Sequence, residues 1–142
     1  MQALNTSQFV HLQPTDLHAA AGLEWLHGMS DSKKWNLEVE EVVDLLGGIP
    51  VRTYHTLKRR ALNGESISLT RDCLERISLL LGISKALQIL APIGREDLSF
   101  AWFYMPNDNP IFAGLSFKDY MLERKSIEAM YTVRRYLDAQ RG

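Results

Sequence analysis

Residues 37–64 read LEVEEVVDLLGGIPVRTYHTLKRRALNG, and the spacing of their apolar positions predicts two helices joined by a glycine turn. Leu37, Val39, Val42, Val43, Leu45 and Leu46 form a broad apolar face on the first helix. Asn36 is the expected N-cap, with Glu38 in the first turn, where an acid suits the helix dipole. Gly47 and Gly48 end this helix, because glycine takes the left-handed cap at low cost. Pro50 fits the first position of the next helix. Val51, Tyr54, Leu57 or Lys58, and Ala61 line one face of it. Arg52, Thr53, His55, Thr56, Arg59 and Arg60 fall on the other, and Asn63-Gly64 turns the chain away.

This pattern has helix-turn-helix form, in which the second helix lies in a DNA major groove. Arg52 and Thr53, near the N-terminal end of that helix, are placed for base edges. Lys58, Arg59 and Arg60 suit phosphates, and His55 either. Charge distribution points the same way. The chain carries a formal net charge of −1. Residues 1–44 hold two lysines and seven acids, whereas residues 45–64 hold four basic residues and no acid. A local basic window is the footprint of a nucleic-acid binder in a chain that is not basic as a whole. The alternative is a solvated helix face.

Outward from this core the pattern stays helical. Residues 1–14 show no period and read as a loose arm. TDLHAAAGLEWLHGM, capped by Thr15 or Asp16, reads as a helix ended at Gly28. Residues 68–82 read as a helix capped by Ser68 or Thr70 and stopped at Gly82, with a second short helix from Ser84 to about Ala91. PIGRED (92–97) reads as a joint. LSFAWFYM is expected to be helix, with strand as the alternative, and PNDNPIFAG a loop. Ser116 and Ser126 open two further helices, the last carrying Ile127, Met130, Val133 and Leu137 at helical spacing. Nothing alternates at period two, so the fold class is all-α.

Composition excludes several function classes. No stretch approaches the roughly 20 apolar residues of a membrane span. MQALNTSQFVHLQP lacks the basic start and apolar run of a signal peptide, and the single cysteine, Cys73, rules out an internal disulfide. The compartment implied is the cytoplasm. His11, His18, His27 and His55 sit in no metal-ligand motif, Cys73 reads as a small buried hydrophobe, and no catalytic constellation appears. The expectation is a non-enzyme with no metal and no cofactor. Trp102, Phe103, Tyr104 and Phe112 surround a loop, either as packed core or as a partner pocket.

The C-terminal third carries a more specific pattern. Trp102 is followed by Pro106-Asn107, then NPIFAG with Phe112 and Gly114, Ser116, Tyr120-Met121-Leu122, and the final VRRYLDAQRG (133–142). This order resembles the toxin-binding domain of the Xre/MbcA/ParS antitoxin family. EEVVDLLGG, Tyr54, Lys58 and DCLERISLLLGISKALQIL are similar to the Xre-like helix-turn-helix region of the same proteins. The resemblance covers residues 35–142, and residues 1–34 match nothing in it. It departs at ERKSIEAM (123–130), where glycine is common in the family.

The resemblance implies an Xre-like domain at 35–94 and a toxin-binding domain at 95–142, preceded by the arm and short helix read from the residues at 1–34. It implies an antitoxin without catalysis of its own, whose partner is a RES-domain toxin that destroys NAD by hydrolysis or phosphorolysis. The antitoxin occludes the toxin's cleft, and the complex represses its own operon by binding operator DNA. Two half-sites would call for a homodimer. Trp102, Asn107 and Phe112 would face the toxin. In VRRYLDAQRG, Asp138 and the Gly142 carboxylate could mimic the pyrophosphate of NAD. Arg134, Arg135 and Arg141 could pair with acids in the cleft, and Tyr136 could anchor. A rival is that Arg134 or Arg135 folds back onto the chain's own helices. The alternatives for the whole chain are a stand-alone helix-turn-helix regulator, or a toxin-binding protein without DNA binding.

Overall fold

A computed structural model describes residues 16–142, with side chains from His18 onward. The readings placed on residues 1–15, including the loose arm, His11 and the Thr15 cap, lie outside the described residues. Among those described there are seven α-helices, one 3-10 turn and no strand, so the all-α reading holds. The helices are α1 (Asp16–Met29), α2 (Val39–Leu45), α3 (Val51–Leu62), α4 (Arg71–Leu90), α5 (Glu96–Tyr104), α6 (Phe117–Arg124) and α7 (Ile127–Gln140), with the 3-10 turn at Pro110–Phe112. No described helix is long and apolar enough to cross a membrane.

Local chemistry sets most boundaries where the sequence puts them. The hydroxyls of Thr70, Ser116 and Ser126 accept from the backbone N–H groups of Cys73, Asp119 and Ala129, opening α4, α6 and α7. Each satisfies one orphan donor at a helix start. LSFAWFYM is helix, and the PNDNPIFAG loop contains the 3-10 turn, capped by the Asn109 side chain.

Two expectations are corrected. Asn36 is not the N-cap of α2. It sits at φ +54, and Glu38 caps the helix through a reciprocal box, its own N–H donating to Glu41 Oε1 at 2.8 Å. The turn explains the shift. Backbone bonds from Trp35, Asn36 and Leu37 back to Met29, Asp31 and Ser30 hold residues 30–37 in a tight connection, and an asparagine tolerates the left-handed position there. Nor does Gly82 stop a helix. The helix runs unbroken through it from Arg71 to Leu90. A Cβ at Gly82 would overlap the Arg134 guanidinium, so this glycine marks where α7 crosses close to α4.

The core is continuous from Ala19 to Leu137. The α4 helix is its axis, packed by α1, α5 and α7, while α3 lies on α1 and α6 lies on α2, α5 and α7. Its aromatic centre is Trp35, stacked on Phe103 at 3.9 Å and 10°, with Trp25 meeting Trp35 edge-on at 5.6 Å. Polar ties add direction. Lys118 Nζ, on α6 and largely buried, donates to the Asn36 carbonyl at 2.9 Å and pairs with Glu41 at 3.3 Å. Arg76, also buried, holds Asp72 at 2.9 Å and donates to the Lys125 carbonyl that caps α6. Gly47, at φ +100, gives this cluster room, since a Cβ there would lie 2.8 Å from the Asp72 carboxylate. Glu41 is thus an interhelix partner.

Candidate functional site

The first surface is the outer face of α3. Tyr54 and Ala61 are buried and Val51, Leu57 and Lys58 half-buried, while Arg52, Thr53, His55, Thr56, Arg59 and Arg60 are all exposed. The division read from spacing is the one the packing makes. These basic residues are not equally free. The Arg60 guanidinium donates to the Ser66 carbonyl at 3.1 Å and lies 3.7 Å from Glu65. Lys58 Nζ lies 5.7 Å from the centroid of the Tyr54 ring, a cation–π distance. Arg52 and Arg59 make no ion pair with the described residues, which leaves two unengaged guanidinium groups at opposite ends of the helix.

The inner edge of α3 is tied to α1. The Tyr54 hydroxyl lies 3.4 Å from His27 Nδ1. Burial, and then the nearby Lys58 charge, hold the His27 pKa below 6.5, against a weaker upward pull from Glu24. Burial pushes the Tyr54 phenol up to about 12, so it stays a neutral hydroxyl. The sign of the linkage follows. The folded chain disfavours protonated His27, so its contribution to stability is present above pH 6.5 and is lost as pH falls through 6.5 toward the lowered folded value. The urea midpoint should therefore fall between pH 7 and pH 5 in the parent, and fall less in His27→Gln. Equal pH slopes in the two proteins would refute the assignment.

The second surface is a cleft of about 450 Å³ between the C-terminal ends of α4, α5 and α7. Leu87 and Leu90 come from α4, Trp102 and Met105 from the end of α5, Pro106 and Asn107 from the loop, and Tyr136, Leu137 and Gln140 from α7. Three of the sequence-derived residues, Trp102, Asn107 and Tyr136, meet here. Phe112 does not reach the surface. It is fully buried and meets Phe117, Tyr120 and Tyr136 edge-on, each at 5.1 Å, so it acts on the cleft from behind, by bracing the Phe117 and Tyr136 rings that line it. Of the four aromatics around the loop, Phe103 and Phe112 are core, Trp102 is half-buried at the cleft, and Tyr104 is exposed.

The charged residues of VRRYLDAQRG form a ladder beside it. Arg134 Nε donates to Asp138 Oδ2 at 3.0 Å, and Arg141 Nη1 approaches the other carboxylate oxygen at 3.4 Å. Arg134 also occupies the space left open by Gly82, so its guanidinium is folded against α4. Arg135 points elsewhere, 5.5 Å from the Tyr131 ring centroid, where the Tyr131 hydroxyl donates to Glu75. Asp138 is therefore neutralised within the chain by two guanidinium groups, while Arg135, Arg141 and Gly142 are exposed. Leu87, Leu90, Met105, Phe117 and Gln140 escaped the sequence reading. The ladder was legible in the i,i+4 and i,i+3 spacing of Arg134, Asp138 and Arg141 on one helix, whereas Gly82 marks only where Arg134 packs on α4.

Over 109 residues the chain is 38% identical to the uncharacterized protein y4oB of Sinorhizobium fredii (strain NBRC 101917 / NGR234), an alignment covering 77% of each. No protein-family model and no solved structure matches the chain.

Proposed function

We propose that this chain, which belongs to the protein family of Sinorhizobium fredii y4oB, is a type II antitoxin. In this reading the region around the second cleft occludes a RES-domain, NAD-degrading toxin, and α3 carries the complex onto its operator. One observation carries the partner assignment. Trp102, Asn107 and Tyr136 belong to sequence elements up to 34 positions apart that carry the antitoxin resemblance, and they line one concave apolar surface. Such a surface, walled by aromatic rings and with exposed Arg141 next to its Gln140 edge, has the make-up of a protein interface. The α2–Gly47-Gly48–α3 unit supports the operator assignment, because its outward residues are the basic ones. In this reading the chain itself performs no catalysis.

The neutralisation of Asp138 refines how the last helix would work. A carboxylate already held by Arg134 and Arg141 is a poor pyrophosphate mimic. Its role in the proposed interface is to hold Arg141 in place, and Arg141 and Arg135 supply the charge that meets toxin acids. The test is capture of a partner from native lysate by the tagged full chain, with NAD consumption assayed once the partner is freed. Cutting the chain after Thr132 would remove Val133 and Leu137 from the core, so surface variants are the better comparison. Capture of an NAD-consuming partner that falls at least about tenfold in Arg135→Glu/Arg141→Glu is the expected result, on the order expected for reversing two interfacial charges. A partner that consumes no NAD, or capture indifferent to both reversals, refutes the antitoxin assignment. The exposed basic face of α3 favours a second reading, a stand-alone DNA-binding regulator, which would bind promoter DNA and capture no such partner.

A further inference from the structure

Ten side chains line the cleft between α4, α5 and α7, and none is charged. Eight are aliphatic, sulfur-containing or aromatic, among them Leu87, Leu90, Trp102, Met105, Phe117 and Tyr136. The hydrogen-bonding groups set among them are chiefly the carboxamides of Asn107 and Gln140. A charged occupant would lose its hydration here without gaining a partner, which is costly. The two carboxamides are differently committed. Asn107 Oδ1 accepts the N–H of Asn109 at 2.7 Å, which leaves its NH2 as the unused end. Gln140 is exposed at the end of α7 and keeps both its donor and its acceptor. Together they offer donors and an acceptor beside an apolar slot, the complement of a peptide backbone flanking an uncharged side chain.

Size and wall chemistry narrow the occupant. At about 450 Å³ the cleft is at the small end of ligand-sized sites, too small for a helix and suited to one large side chain with its flanking amides. Three of its walls are rings. Trp102 and Tyr136 are half-buried, each with part of its surface turned to solvent, and Phe117 closes the floor. Offset or edge-on packing of a further ring against such walls adds to the burial of its area. Tyr136 is held in place by Phe112 at 5.1 Å and Phe117 at 5.9 Å, so the slot is preformed and little ordering opposes binding.

We infer that this cleft is an anchor pocket for one uncharged aromatic side chain, presented on an extended segment of the protein partner, with Asn107 and Gln140 pairing its flanking amides. The inference rests on the antitoxin reading only for the partner's identity, since the pocket chemistry is read from this chain alone.

The test is an NMR titration of the full chain with three neutral-ended tripeptides, Ac-Gly-Trp-Gly-NH2, Ac-Gly-Leu-Gly-NH2 and Ac-Gly-Asp-Gly-NH2. The tryptophan peptide is expected to shift the Trp102 indole N–H and the Asn107 and Gln140 side-chain amides, saturating with a dissociation constant of about 1–10 mM, as suits one buried ring on a small ligand. The aspartate peptide should leave them unmoved, and the leucine peptide should bind at least about fivefold more weakly, the loss of a ring–ring contact. Met105→Lys, at a position 48% exposed, should abolish the saturable shifts with an unchanged urea midpoint. Non-saturating shifts, equal binding of the leucine peptide, or shifts that survive Met105→Lys would overturn the inference. Because the titration uses no toxin, it fails or succeeds independently of NAD-consuming partner capture.

Discussion

Phe103→Ala should destabilise the chain by about 3–5 kcal/mol, the range for emptying a fully buried aromatic site. That is a large part of the roughly 5–15 kcal/mol that holds a typical domain together. Phe103 is 0% exposed and stacks face to face on Trp35, itself 1% exposed. Trp35 stands in the tight connection before α2, and Phe103 stands on α5. The stack therefore joins the stretch read as a helix-turn-helix region to the stretch read as a toxin-binding region. Two consequences follow. Unfolding monitored by tryptophan fluorescence and by far-ultraviolet circular dichroism should be a single coincident transition in the parent, and should remain single, at lower urea, in the variant. Tyr104→Ala, one residue on and 39% exposed, should cost less than about 1 kcal/mol, as surface changes do. Similar losses at the two positions, or a parent transition that splits in two, would show that the halves do not share this core.

That joint is the kind of feature a linear reading does not reach. Helices were legible because apolar spacing and caps are local signals. Thr70, Ser116 and Ser126 cap as expected, and Tyr54 and Ala61 turn inward while Arg52 and Arg59 turn outward. What failed to read depended on partners distant in sequence. Asn36 has good cap chemistry, but the bonds of Trp35, Asn36 and Leu37 to the end of α1 place it in a left-handed turn and pass the cap to Glu38. Gly82 looks like a stop until Arg134, 52 positions later, is seen to occupy its missing side-chain volume. Among the candidate site residues the same rule held. Exposure on α3 followed from one helix's period. The gathering of Trp102, Asn107 and Tyr136, the burial of Phe112 and the packing of Arg134 against Gly82 depended on how α4, α5 and α7 cross.

The α3 surface yields the second large effect, and one that separates residues of the same type. If α3 lies in a major groove, Arg52 at its first turn is placed for base edges and Arg59 near its end for a phosphate. Arg52→Ala should then weaken binding to promoter DNA by about 1–3 kcal/mol, roughly 5- to 150-fold, and relax sequence preference. Arg59→Ala should weaken binding to all sequences alike and make the slope of log affinity against log salt shallower by about one. Arg60→Ala should do less than either, because Arg60 is already bound to Ser66 and Glu65 and must give up those contacts to reach DNA. The local nature of the charge sharpens the test. The chain as a whole is slightly acidic, so non-specific attraction cannot substitute for a lost α3 contact. Fluorescence anisotropy at several salt concentrations reads all three variants. Equal losses from Arg52→Ala, Arg59→Ala and Arg60→Ala would mean that only bulk charge matters and that α3 is not seated in a groove. A parent without salt-dependent binding would leave α3 a solvated helix, and would confine the proposed function to the partner-binding cleft.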